Sequence, residues 1–181
     1  MISRVRDITL ASLFASLTAI GSFVGEISVG PVPITLQTFF IYLAGGILGS
    51  NGGALSQIIY VFLGSVGLPV FAQRKFGPAV LVGYTGGYII GFVVGAFIIG
   101  KLVESQKNIS LTRIMASMVV GTLAIYIFGV IQLSLWYGLP GAILFGVLPF
   151  IIGDTLKILT ASFITIKVRK TLPNIVKDKQ H

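Results

Sequence analysis

The sequence predicts an all-α integral membrane bundle of six transmembrane helices. Three observations predict it: 55% of the 181 residues are hydrophobic, only 10% are Asp, Glu, Lys or Arg, and the charges are separated by long apolar runs. A soluble domain carries about 25% charged residues, and the mean hydropathy here is +0.99. A soluble enzyme or nucleic-acid binder is thereby excluded, although the net charge is +8. No cysteine is present, so there is no disulfide framework or thiolate nucleophile. The only histidine is His181, at the end of a charged tail, and no metal or cofactor is expected.

The first span, about residues 8–25, fills the 18 uncharged positions between Asp7 and Glu26, enough for one crossing. Thr18-Ala-Ile-Gly-Ser22 is only a weak cleavage pattern, so a retained helix is expected rather than a removed signal peptide. Between Glu26 and Arg74 lie 47 uncharged residues, and the polar glycine turn Ser50-Asn-Gly-Gly53 divides them into spans of about 34–49 and 53–71. A fourth span falls at about 79–101. Another 40 uncharged residues separate Arg113 from Asp154, interrupted by Tyr137-Gly-Leu-Pro140, which places the fifth span at about 113–133. Pro149 suits the first turn of a helix, where its missing N–H costs nothing, so the sixth span is about 149–168. Gly138 to Leu148 is left as a short interfacial helix or loop. Residues 1–170 then form a single membrane domain, and 171–181 a charged cytoplasmic tail.

Orientation follows from the Lys and Arg residues in the short loops. With six spans, Arg4, Arg6, Lys101, Lys107, Arg113, Lys167, Arg169, Lys170, Lys177 and Lys179 share one side, and Arg74 and Lys75 stand on the other. That bias of ten against two puts both termini in the cytoplasm.

Asp154 and Lys157 are the strongest sign of a site. Three residues apart on one helix face, they lie about 8 and 12 Å past Pro149 at 1.5 Å per residue. A charge near the bilayer centre costs about 2.5–3.5 kcal/mol on insertion scales, so it faces a partner or a cavity. Gln37 and Thr35, Tyr84, and the Asp154–Lys157 pair all occupy the starts of spans two, four and six, at similar depth. They are expected to line one pocket opening outward. Gly67-Leu-Pro-Val-Phe-Ala-Gln-Arg-Lys-Phe-Gly-Pro78, the loop between spans three and four, is its expected cap, with Arg74 and Lys75 offered to an anionic solute. Glu26, near the same mouth, receives no role. Ala11, Ala15 and Ala19, at spacing four, make a smooth stripe for close helix packing, within the chain or against a membrane partner. There is no Gly-x-x-x-x-Gly-Lys-Ser/Thr loop, so energy for active transport must come from an ion gradient or another subunit.

Val32-Pro-Ile-Thr-Leu-Gln-Thr38, Gly67-Leu-Pro-Val-Phe71, Tyr84-Thr-Gly-Gly-Tyr88 and Pro149-Phe-Ile-Ile-Gly-Asp-Thr-Leu-Lys157 resemble the BioY family, the biotin-binding S components of energy-coupling factor (ECF) transporters. The similarity runs from about residue 8 to 168. It implies a six-helix protein of a prokaryotic plasma membrane that captures biotin from outside and is not itself an enzyme. It further implies a transmembrane coupling protein, the T component, and two ABC-type ATPases as partners. Asp154 and Lys157 match the family's Asp-x-x-Lys, and Gln37 and Tyr84 its other motifs. Ala11, Ala15 and Ala19 resemble its docking surface. The ureido group of biotin suits a carboxylate, an ammonium or the Gln37 amide. Its rings suit Phe39, Phe71 and Tyr88, and its valerate suits Arg74 or Lys75. The alternative reading is a stand-alone secondary transporter for a small organic anion.

Overall fold

The computed structural model describes residues 2–28, 30–105 and 110–171. Lys107 and positions 172–181, which hold the expected charged tail with Lys177, Lys179 and His181, lie outside the described residues. Among the described residues the regular structure is helical: α1 Ile2–Phe23, α2 Gln37–Ser65, α3 Ala79–Val82, α4 Gly86–Glu104, α5 Leu111–Gly146 and α6 Ile151–Thr171. Ala72–Arg74 and Leu148–Phe150 form 3-10 turns, and an isolated antiparallel bridge pairs Ile27 with Ile34. By length and composition, Gln37–Ser65, Gly86–Glu104 and the run Leu111–Thr171 are long and apolar enough to cross a membrane.

α2 is two antiparallel arms. At Gly49 φ is +78° and ψ is −172°, a conformation nearly confined to glycine. A Cβ on Gly53 would stand 2.8 Å from the Gly45 Cα, and Gln37 Nε2 donates to the Tyr60 hydroxyl at 2.5 Å. In an unbroken helix Gln37 and Tyr60 would be about 35 Å apart. The expected turn at Ser50–Gly53 therefore falls earlier, at Gly49, and the second arm ends at Ser65 rather than near residue 71. Residues 66–78 are left as an irregular connection with positive φ at Gly67, Gln73, Arg74 and Gly77.

Side-chain pairings set the directions of the other helices. Tyr126 meets Asp154, and Met118 meets Ser162, so α6 runs antiparallel to α5. Thr38 meets Asp154 and Gly46 meets Arg169, so α6 runs parallel to the 37–48 arm. α4 lies against both, and glycine brings the backbones together. A Cβ on Gly45, Gly87 or Gly100 would fall 2.6, 2.2 and 2.2 Å from backbone atoms of Ala96, Phe128 and Ser50. Small residues of this kind let apolar helices approach where lipid removes the usual hydrophobic incentive.

The Gly49 turn is clamped from two sides. The Glu104 carboxylate accepts the Ser50 backbone N–H at 3.0 Å and its hydroxyl at 2.7 Å, capping the 50–65 arm with negative charge at a helix N-terminus. Arg169, only 5% exposed, donates from Nε to the Gly46 carbonyl at 2.5 Å, placing positive charge near the end of the 37–48 arm.

One sequence expectation is corrected here. Ala11 and Ala15 are fully buried inside the chain and Ala19 packs against its core. Ala11 and Ala15 thus face α2 and serve internal packing, closed to a separate partner, while Ala19 is half-buried. The outer side of α1 instead carries Val5, Ile8, Leu13 and Ile20.

Candidate ligand-binding site

A cavity of about 560 Å³, its open mouth included, lies at the pole where α1 ends and the 37–48 arm, α4 and α6 begin. Small-molecule sites are mostly apolar with a few placed polar groups. The wall is built from Thr35, Gln37 and Thr38 around the start of α2, Tyr60 on its second arm, and Phe71 and Ala72 from the connection. Thr85, Tyr88, Ile89 and Phe92 come from the start of α4, Ile125 and Tyr126 from α5, and Phe150, Asp154 and Lys157 from the start of α6.

The polar centre is a compact ring. Lys157 Nζ donates to Asp154 Oδ1 at 2.9 Å and to Thr38 Oγ1 at 3.0 Å. Thr38 in turn donates to the same carboxylate oxygen at 2.9 Å, and the Tyr126 hydroxyl donates to Oδ2 at 2.7 Å. The two charged side chains are only 4% and 10% exposed. Removing charges from water is costly unless they are paired and hydrogen-bonded, and this ring meets that condition. An ammonium has three protons; two are taken, and the third remains for a ligand acceptor.

A second chain of bonds joins the wall to the connection above it. Thr35 donates to Gln37 Oε1 at 2.9 Å, Gln37 Nε2 donates to Tyr60, and Tyr60 donates to the Val70 carbonyl at 3.2 Å. Ser22 reaches that carbonyl at 2.8 Å. Phe71 is 1% exposed and stacks edge-on against Tyr60 at 5.6 Å. Glu26, without a role in the sequence, accepts the Gln73 backbone N–H at 3.0 Å and steadies the left-handed turn. Tyr60→Phe is expected to lower stability by about 1–2 kcal/mol, because the buried Gln37 amide loses its acceptor, whereas the Val70 carbonyl keeps Ser22. Thermal unfolding in detergent measures the loss, and an unchanged midpoint would show that water replaces the hydroxyl.

Of the residues singled out in the sequence, Thr35, Gln37, Phe71, Tyr88, Asp154 and Lys157 converge on the cavity. Tyr84 lies outside its wall, on the turn before α4, packed edge-on against Trp136 at 5.2 Å and Tyr137 at 5.7 Å. Its neighbour Thr85 takes the inward position. Phe39 also lies outside the wall: consecutive helical residues point about 100° apart, and with Gln37 and Thr38 inward it turns aside onto Phe40. Arg74 and Lys75 are exposed beyond Ala72, where the left-handed turn carries the chain off the cavity. The cap touches the cavity through Phe71 and Ala72.

Thr38, Tyr60 and Tyr126 are wall residues that sequence reasoning passed over. Tyr126 did leave a signal. It stands midway along an apolar run, whereas membrane tyrosines are enriched near the interfaces.

Comparison with known proteins follows the same outline. The family model for the BioY family matches residues 1–174. The biotin transporter BioY of Thermotoga maritima is 41% identical over 167 residues, covering 92% of this chain and 97% of the relative. A probable biotin transporter BioY of Pyrococcus horikoshii is 43% identical over 161 residues, covering 89% and 94%. Among solved structures, the S-component for biotin from an ECF-type ABC transporter superposes with a TM-score of 0.83, at 29% identity and over 93% of each chain.

Proposed function

The chain belongs to the BioY family, and from that premise we propose that it is the biotin-capturing subunit of an ECF-type vitamin importer. The observation that carries the reading is the desolvated Asp154–Lys157 pair, with an unused ammonium proton, set in an aromatic and aliphatic chamber. A cyclic urea has two N–H donors flanking one carbonyl acceptor. The Asp154 carboxylate answers a donor, and the third Lys157 proton answers the carbonyl. Phe71, Tyr88, Phe92 and Ile125 supply apolar walls for the fused rings and the aliphatic chain. The valerate then leaves at the mouth, beside the connection that carries Arg74 and Lys75.

The basic residues support a membrane orientation with both termini inside and the cavity opening outward. The six helical segments that alternate in direction, 2–23, 37–48, 50–65, 86–104, 111–137 and 151–171, each make one crossing. The chain has no nucleotide-binding loop, so the drive comes from partner subunits: a transmembrane coupling protein and two ABC-type ATPases.

Calorimetric titration of the detergent-purified protein with biotin tests the capture, and tight one-to-one binding is the expected result. Absence of binding in folded protein would sink the reading. Uptake in cells that depends on the co-expressed ATPases tests the partnership. Uptake that proceeds equally without them would favour a stand-alone transporter.

A further inference from the structure

Asp154 receives hydrogen bonds from Lys157, Thr38 and Tyr126. A carboxylate accepts only, so each of the three is a donor to it. The single proton of Thr38 is used on Oδ1, and its oxygen already accepts from Lys157. Thr38 thus has its proton committed and one lone pair taken by the ammonium. Tyr126 differs. Its proton is fixed on Oδ2, its hydroxyl lies in the cavity wall, and no group among the described residues donates to its oxygen. Buried acceptors are normally satisfied, and a hydroxyl oxygen has two lone pairs. The ring has thus turned a group of either sense into an acceptor at the cavity wall.

We propose that Tyr126 is a specificity-determining residue, whose phenol oxygen, held proton-outward by Asp154, accepts one N–H of the ligand's cyclic urea. The inference rests on the biotin reading and adds a second acceptor beside the carboxylate. It selects ligands with an N–H at that position and rejects those in which it is alkylated, because the part-buried oxygen would then lose its donor.

The test pairs protein variants with ligand variants. Biotin and its two singly N-methylated derivatives are titrated into the wild-type protein, Tyr126→Phe and Thr38→Val. In the wild type, methylation at the nitrogen facing Tyr126 is expected to weaken binding about 100-fold. In Tyr126→Phe that penalty is expected to fall to about tenfold or less, while the penalty at the other nitrogen stays unchanged, a coupling confined to groups in contact. Thr38→Val disturbs the same carboxylate but leaves the Tyr126 oxygen in place, so the penalty at the nitrogen facing Tyr126 persists there while overall affinity drops. Tyr126→Leu, which also lacks the phenol oxygen, is expected to lose the same preference and serves as the second variant should Tyr126→Phe not fold. Penalties that stay the same in Tyr126→Phe, or fall equally at both nitrogens, would overturn the assignment and leave Tyr126 as support for Asp154. Failure of the wild type to bind biotin is a separate outcome that removes the parent reading and this inference together.

Discussion

Lys157→Ala is expected to lower stability by about 3–5 kcal/mol and to weaken biotin binding by about 100-fold or more, as loss of a charged hydrogen-bond donor requires. The stability loss comes from what remains. Asp154, with a side chain only 4% exposed, would keep a carboxylate solvated by Thr38 and Tyr126 alone. Asp154→Asn is milder for the fold, because it leaves an ammonium on a longer side chain that can shift toward water. The double variant Asp154→Asn with Lys157→Met should therefore be more stable than Lys157→Ala alone, and equally poor at binding. Thermal unfolding in detergent, run beside calorimetry, reads both quantities. A single variant that unfolds with the wild-type midpoint would show that the pair is hydrated, and would remove the desolvated site on which the functional reading stands.

Gly49→Ala is expected to cost about 2–4 kcal/mol, combining backbone strain at φ +78° with loss of a helix cap. The added Cβ would occupy the position of Glu104 Oε1, 1.9 Å away. That oxygen cannot retreat freely, since it accepts the Ser50 N–H at 3.0 Å. The substitution thus strains the turn and also detaches the group that closes it. Gly67→Ala, also at positive φ but with no atom within 4 Å of the added Cβ, isolates the backbone part of the effect. Equal midpoint losses in the two variants would show that the Glu104 contact contributes nothing.

Depth was readable from the sequence, and direction around each helix was not. Counting residues from loop charges and turns placed Gln37, Asp154 and Lys157 at one level, because rise per residue is constant. The three-residue spacing of Asp154 and Lys157 also carried its own geometry. Which side of a helix faces inward is normally read from polar residues on the other side. Lipid removes that contrast. Phe39 and Tyr84 were chosen over Thr38 and Tyr126 for this reason: each has the right depth or chemistry, yet points the wrong way. The alanine stripe has the same ambiguity, since small residues suit an internal contact as well as an external one. Arg74 and Lys75 stand on the cap and not in the wall for a different cause, the two consecutive left-handed residues Gln73 and Arg74, which no residue-type rule would place there.

The rim formed by Tyr84, Trp136, Tyr137 and Phe145 holds the only tryptophan in the chain. Indole emission from this protein consequently has a single origin, 45% exposed and packed against Tyr84, the neighbour of the wall residue Thr85. Quenching by lipids brominated at graded acyl positions would therefore read the height within the bilayer of one identified aromatic cluster, next to the wall residue Thr85, with no label attached. The same emission gives an optical window on that cluster during titration, free of contributions from the opposite pole where Glu104 and Arg169 clamp the turn.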